Sequence, residues 1–183
     1  MVKKTKKPKV ADQGKRSLPA FPRPKIKDPY LKAHLEYASK IATGFVAHLA
    51  EKKFSYYLKK DKNGTIRVSD VEIIGLAAGI HDIGKTEKKI SKAIAGTRKL
   101  SPRKRIRMEN HVPEGLKIIN NIWNSHQTPG QKMVSKVVGS HHEHYNGTGY
   151  PNRIRGSKIP IGGRILAIAD FYCALTEDRS YRK

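Results

Sequence analysis

One segment of the chain constrains its fold more than any other, because residues 69–80 are apolar on nearly every side of a helix. Ser69 and Glu72 have the spacing of a capping box, which predicts that this helix begins at Ser69. A helix without a polar face belongs at the centre of a bundle. It ends at His81-Asp82, two polar side chains that are costly to bury unless they are paired or bind a metal. The sequence therefore predicts a buried polar site at the end of the central helix.

The rest of the apolar pattern also has helical spacing, which predicts an all-α bundle in one domain. The predicted helices cover residues 29–53, 101–111, 114–123, 131–143 and 161–176. Phe45 and Met133 are expected to face the core, and Ser101-Pro102 is typical of an N-cap followed by proline at the first helical position. Pro113 is expected to break the chain between two of them. Asn63-Gly64 suits a tight turn, so we expect a small hairpin or ordered loop near residues 54–68. A second loop rich in glycine includes Gly149.

The chain is strongly basic, with 38 Lys and Arg against 15 Asp and Glu and a net charge of +23. Residues 1–28 contain ten of these basic residues and four prolines, with only Asp12 and Asp28 opposing them. Such a composition predicts a disordered tail, followed by a domain over residues 29–183. The charge implies nucleic acid, nucleotides or another polyanion as a partner. For the tail, a nucleic-acid or membrane-surface arm and a solubilising extension both remain open.

The single cysteine, Cys173, excludes a disulfide framework and any all-cysteine zinc site. It fits a reducing cytoplasm, and we expect a cytoplasmic protein. No apolar stretch is long enough to span a bilayer, and the basic N-terminus lacks the apolar segment of a secretory signal.

Histidines and aspartates recur along the chain in numbers that suit a metal site. The candidate ligands are His34, His81, Asp82, His111, His141, His142 and Asp170. Five imidazoles and two carboxylates are enough for two divalent metals, with Asp82 able to bridge them, and such ligands suit iron, manganese, zinc or nickel. Two adjacent metals activate water and clamp a phosphate ester during hydrolysis. Lys85 is placed to neutralise a phosphate oxygen or to protonate the leaving oxygen.

The order of these residues is far more specific than any one of them. The set is His34, His81-Asp82-x-x-Lys85, His111, His141-His142-Glu143, Gly149-Tyr150-Pro151 and Ala169-Asp170. From about residue 30 to residue 183 the chain resembles the HD-GYP family, the branch of the HD phosphohydrolases that degrades cyclic di-GMP or related cyclic dinucleotides. The resemblance implies an all-helical HD-type domain with a site for iron, manganese or similar ions.

The resemblance also implies roles for individual residues. The seven candidate ligands would hold the metals, Asp82 and Lys85 would be catalytic, and Lys85 would contact the scissile phosphate. Gly149-Tyr150-Pro151 would shape the substrate pocket, while Arg179 and Arg182 would meet phosphate or guanine edges, where planar donors fit well. Family members with a third metal carry a glutamate where this chain has Tyr30, so we expect two metals. The family normally continues with further helices, so the domain is expected to be short at its C-terminus.

Three functions follow as hypotheses. The first is a metal-dependent phosphodiesterase that hydrolyses a cyclic dinucleotide, cyclic di-GMP before others, by a metal-activated hydroxide. The second is an HD-type phosphohydrolase acting on another nucleotide or short RNA, which the excess of Lys and Arg favours. The third is a non-catalytic module that binds a cyclic dinucleotide or nucleic acid. The complete ligand set favours the two enzyme hypotheses.

Overall fold

A computed structural model of the chain describes residues 24–51, 68–95, 100–123 and 128–177. Its helices are α1 (Pro29–Glu51), α2 (Val68–Ala78), α3 (Lys88–Ile94), α4 (Pro102–Glu109), α5 (His111–Trp123), α6 (Pro129–Val138) and α7 (Ile161–Thr176). Two short 3-10 turns, Ile83–Thr86 and Gly156–Lys158, complete the regular structure of these residues. No strand occurs in the described ranges, so the prediction of an all-α fold is confirmed.

Several predicted features lie outside the described residues. These are residues 1–23 of the tail, almost all of the predicted hairpin at 54–68, and the two C-terminal arginines, Arg179 and Arg182. Within the described part of the chain, none of the helices has both the length and the apolar character needed to cross a membrane.

The central helix of the bundle is α2, as its sequence predicts. Ile74, Ala77 and Ala78 are almost completely buried, and α2 contacts α1, α6 and α7. Because α2 ends at Ala78, His81 and Asp82 follow it in a turn that is still inside the core. The packing of α2 therefore carries the two polar side chains into the protein interior.

The ends of several helices differ from the prediction. Pro113 does not break the chain, because it lies in the first turn of α5, where a backbone N–H has no partner within the helix. The break comes at Asn110, which ends α4. Helix α6 ends at Val138, so His141 and His142 lie in the turn beyond it rather than on the helix. Ser101 caps α4 through the N–H of Lys104, and Pro102 is its first residue, as predicted.

Two side chains that were predicted to face the core are exposed. Phe45 on α1 is 38% exposed, and Val46 is buried instead. Met133 on α6 is 39% exposed, whereas Val134 and Val137 pack inward. In both helices the β-branched neighbour takes the core position.

Gly84 lets the turn after α2 lie directly against the start of α5. A Cβ atom at this position would lie 1.9 Å from the carbonyl oxygen of His111 and 2.6 Å from the backbone nitrogen of Gly115. Both neighbours are backbone atoms and cannot rotate away. This close approach is what brings the Asp82 turn and His111 together.

We therefore expect Gly84→Ala to lower the free energy of unfolding by at least about 2 kcal/mol, because overpacking forces the backbone apart. Gly44→Ala is the matched control, since a Cβ atom there meets nothing within 4 Å and the residue is exposed in helix α1. That control should stabilise the protein by up to about 1 kcal/mol. Urea unfolding of both variants tests this, and similar stabilities for the two would contradict the packing described here.

Candidate metal centre

The structure brings all seven candidate ligands together in two groups that share Asp82. The groups are Asp82, His111, His141 and His142, and His34, His81, Asp82 and Asp170. Within each group, one ligand atom from every residue lies within 4.8 Å of the others. The ligands come from α1, α7, the start of α5 and the turns that follow α2 and α6. Residues far apart in the chain thus meet at one point.

Asp82 is at the centre of this arrangement and is only 1% exposed. Its Oδ1 lies 3.1 Å from Nε2 of His111. Its Oδ2 lies 3.5 Å from Nε2 of His34 and 3.5 Å from Nε2 of His81. Asp170 faces the same two imidazoles, with its Oδ1 at 3.5 Å from His34 and 3.6 Å from His81. The carboxylate of Asp82 can therefore serve both groups at once.

Three of the histidines are oriented by backbone carbonyls three residues earlier. The Nδ1 atoms of His81, His111 and His141 lie 2.8, 2.7 and 2.6 Å from the carbonyl oxygens of Ala78, Met108 and Val138, respectively. A carbonyl oxygen only accepts, so each Nδ1 must carry the proton and donate it. These carbonyls lie at or next to helix ends, where the regular hydrogen bonds of the helix run out. The arrangement leaves each Nε2 as an acceptor that faces the cluster.

Four buried atoms in this cluster have no hydrogen-bond partner among the described residues. They are Nε2 of His81, His111 and His141, and Oδ1 of Asp82. The 3.1 Å approach of His111 Nε2 to Asp82 Oδ1 thus joins two acceptors with no proton between them. Buried polar groups without partners are costly, and converging nitrogen and oxygen acceptors are what a divalent cation requires. The residues present therefore fit a metal centre.

The charges of the carboxylates are balanced by their neighbours. Burial alone would raise the pKa of Asp82, but the Lys85 ammonium holds that pKa well below its usual range. Burial opposes ionisation of Asp170 too, yet the hydrogen bond from His34 keeps the pKa of Asp170 low. Burial lowers the pKa of His34, but Asp170, Asp82 and Glu177 outweigh it and raise this pKa to about 10. Positive charge on His34 thus offsets the carboxylates in the metal-free chain.

The paired histidines behave in the opposite way. Burial lowers the pKa of His142 to about 3. Burial and the neighbouring His142 and His81 likewise hold the pKa of His141 well below its ordinary value. Both imidazoles are therefore neutral near pH 7, which is the form that binds a metal.

Lys85 lies at the edge of the cluster in the 3-10 turn Ile83–Thr86. Its Nζ donates to Oδ2 of Asp82, and its side chain is 28% exposed. A partly exposed ammonium group beside a buried carboxylate is accessible to an anionic ligand that enters from solvent.

The glycine-rich loop folds back onto the histidine pair. A Cβ atom at Gly149 would lie 2.4 Å from the carbonyl oxygen of His142, so only glycine fits this approach. The backbone N–H of Tyr150 donates to the same oxygen at 3.1 Å. The Tyr150 ring stacks on the His142 ring with centroids 4.6 Å apart, and Pro151 follows through a cis peptide bond. The loop thus forms one wall of the cluster.

Two residues with clear roles were missed by sequence reasoning. Glu143 is buried, and its carboxylate accepts the backbone N–H groups of Asn152 (2.7 Å) and Ile154 (2.9 Å), which fastens the loop. It lies inside the recognised motif, but no role was assigned to it. Glu177 accepts from Nδ1 of His34, 143 residues earlier in the chain. No local spacing signals that pairing.

Residues 50–183 match the family described as HD domain. The match covers most of the chain, so the chain belongs to the HD domain family, whose members bind divalent metals. Together with the relatives below, this match confirms the predicted HD-GYP type.

The chain is similar to proteins that act on cyclic dinucleotides. It is 36% identical over 114 residues to the 3'3'-cGAMP-specific phosphodiesterase 2 of Vibrio cholerae serotype O1, covering 62% of this chain and 21% of that protein. It is 33% identical over 119 residues to the cyclic di-GMP phosphodiesterase response regulator RpfG of Xanthomonas campestris pv. campestris, covering 62% and 29%. A cyclic di-GMP phosphodiesterase of Thermotoga maritima is 30% identical over 109 residues, covering 60% and 28%. The chain therefore spans less than a third of the length of these relatives.

The low pKa values of His141 and His142 predict how the stability of the metal-free chain depends on pH. Below about pH 6.5, the pKa of histidine in the unfolded chain, these two imidazoles bind protons in the unfolded state but not in the folded state. The free energy of unfolding therefore falls as the pH falls. Between pH 6.5 and pH 5 we expect a loss of up to about 1.4 kcal/mol per pH unit for each histidine. In this range folded His34 is fully protonated, while unfolded His34 goes from about half to almost fully protonated, so its opposing contribution to the slope fades toward zero as the pH falls.

Urea unfolding of chelator-treated protein at several pH values between 6.5 and 5 measures this slope. His142→Asn should reduce it by the contribution of one proton. His48→Asn, at an exposed position on α1, is the matched control and should leave the slope as in the parent. An unchanged slope in His142→Asn would contradict the assignment.

Proposed function

We propose that this chain is a metal-dependent phosphodiesterase that hydrolyses a cyclic dinucleotide, with cyclic di-GMP as the first substrate to test. The observation that carries the proposal is the pair of histidine and aspartate groups joined at Asp82, with Lys85 at their edge. The relatives support the substrate class, since they are phosphodiesterases of cyclic di-GMP or 3'3'-cGAMP. A cytoplasmic location stays a prediction.

The proposed cofactors are two divalent cations, iron or manganese. One would be held by His34, His81 and Asp170, the other by His111, His141 and His142, with Asp82 shared. Imidazole and carboxylate ligands without thiolate suit these metals. When bound, two such ions supply Lewis acidity, which makes water nucleophilic near pH 7 and neutralises charge on a phosphodiester.

The chain's own residues would orient and polarise the substrate. Lys85 keeps Asp82 ionised, and from its partly exposed position it can pair with a phosphate oxygen or donate a proton to the leaving oxygen. Gly149, Tyr150 and Pro151 would shape the pocket. The Tyr150 ring is already stacked on His142 and offers an aromatic edge to an incoming base.

Arg179 and Arg182, outside the described residues, are proposed to bind phosphate or guanine edges, as the family resemblance implies. Binding of a polyanion through the basic tail also stays a prediction.

A second candidate substrate is a short single-stranded RNA, and one surface favours it. The exposed basic residues of α3 and α4 are Lys88, Lys89, Lys92, Arg103, Arg105 and Arg107. Helix α4 contacts the site directly. The carbonyl oxygen of Met108 accepts from Nδ1 of His111, and the Sδ atom of Met108 accepts from the Tyr150 hydroxyl. A strand lying along this surface would release counterions, so its binding should weaken steeply with added salt, unlike that of a small cyclic dinucleotide. A non-catalytic module, in contrast, would bind cyclic dinucleotides without turnover.

We expect Asp82→Asn to reduce hydrolysis of cyclic di-GMP about 10³-fold or more, because the shared carboxylate is lost and a catalytic electrostatic contact of this kind contributes several kcal/mol. Removal of metal by a chelator should have the same effect, and manganese or iron should restore the wild-type activity. Glu36→Gln is the matched control, since Glu36 is an exposed carboxylate on α1. Chromatography of the products measures turnover.

A panel of cyclic di-GMP, 3'3'-cGAMP and a short RNA at low and high salt separates the candidate substrates. Turnover that survives both chelation and Asp82→Asn would contradict the proposed mechanism. Turnover of RNA alone would move the assignment to the second candidate, and tight binding without turnover would favour the non-catalytic module.

A further inference from the structure

His34 is oriented differently from the three histidines that bond to backbone carbonyls. Its Nδ1 lies 2.8 Å from Oε1 and 2.9 Å from Oε2 of Glu177, so one N–H is shared by both carboxylate oxygens. His34 is 7% exposed, and the Glu177 side chain is 15% exposed. A carboxylate only accepts, so the contact fixes the proton on Nδ1 and turns Nε2 toward Asp82 and Asp170.

This contact makes the two ligand groups unequal in charge. The group with His34 contains the carboxylates of Asp82 and Asp170, and Glu177 adds a third directly behind the imidazole. The group with His111, His141 and His142 contains only the shared Asp82. His111 and His141 are bonded to neutral carbonyl groups. Once His34 has released its extra proton, a divalent cation is therefore attracted more strongly to the His34 group.

The stability of α7 does not explain a glutamate at this position. Glu177 directly follows α7, and its backbone N–H donates to the carbonyl oxygen of Cys173 at 2.9 Å. A negative charge at a helix C-terminus is unfavourable by about 0.3–1 kcal/mol, because the helix dipole is negative there. Glu177 has a favourable partner in His34 on α1, and the pair joins the two helices that flank this part of the site.

We propose that Glu177 is a positioning residue that makes the His34 group the tighter of the two cation sites, so that the two cations bind in sequence and the His34 group fills first. Glu177 acts through His34 and does not itself bind the cation. The inference rests on the metal assignment of the proposed function but is independent of its substrate.

Two variants separate the orientation of His34 from the charge behind it. Glu177→Gln keeps an amide oxygen that can accept from Nδ1–H but removes the negative charge. Glu177→Ala removes both. Partners of this kind change metal affinity about 10- to 100-fold, so Glu177→Ala should weaken the tight site by that factor and Glu177→Gln by less.

Titration of the metal-free full chain with Mn²⁺ tests this directly. Calorimetry gives the affinities, and the electron paramagnetic resonance signal of free Mn²⁺ gives the number of ions bound. The wild-type chain should show a tight and a weak site, and Glu177→Ala should weaken the tight site while leaving the weak site unchanged. Glu36→Gln, the same charge change on an exposed face of α1, should leave both affinities at the wild-type values.

Equal wild-type affinities, or a Glu177→Ala effect on the weak site alone, would overturn the inference. An equal loss at both sites together with a lower melting temperature would indicate a merely structural role and would also overturn it. If Glu177→Ala does not fold, the same titration of Glu177→Gln tests the inference, since this variant preserves the size of the side chain and the hydrogen bond.

Two bound ions with no hydrolysis of any cyclic dinucleotide would contradict the proposed function and leave this inference standing, whereas no cation binding would contradict both.

Discussion

The structure depends on one buried carboxylate. Asp82 is 1% exposed, its two oxygens face the imidazoles of His34, His81 and His111, and the ammonium group of Lys85 keeps it ionised. An ion in this position costs several kcal/mol of desolvation free energy unless its surroundings compensate. The groups that compensate are the Lys85 ammonium and the surrounding imidazoles. The helix ends and the close glycine contacts bring these groups to Asp82.

The backbone supplies much of the organisation of the site. The carbonyls of Ala78 and Val138 at the ends of α2 and α6 lack partners within their helices, and the histidines three residues later donate to them. Each such bond satisfies the helix end and aims an imidazole at the cluster. Gly84 and Gly149 then allow neighbouring backbone segments to approach more closely than any other residue permits.

Much of this was predictable from the sequence. The central position of α2, the cap at Ser101 and the bounds of α7 followed from apolar periodicity and capping patterns, which are local signals. The seven candidate ligands stood out because their order is specific, although spacing alone could not show that they divide into two groups around Asp82.

The errors and omissions have physical causes. Pro113 was misread as a break because periodicity does not distinguish the first turn of a helix, where proline is harmless, from its interior. Phe45 was assigned to the core on hydrophobicity, although Val46 fills that space. The role of Glu177 could not be predicted from the sequence, because Glu177 contacts His34 on α1. A contact between residues so far apart in the chain produces no periodic sequence pattern.

In the proposed centre, Asp82 joins two cation sites. The most direct test is the electron paramagnetic resonance spectrum of the chain loaded with manganese, together with the metal content of the same sample. The account predicts about two ions per chain and an exchange-coupled spectrum that Asp82→Asn abolishes. One ion per chain, or two uncoupled ions with the same spectrum in Asp82→Asn, would contradict it.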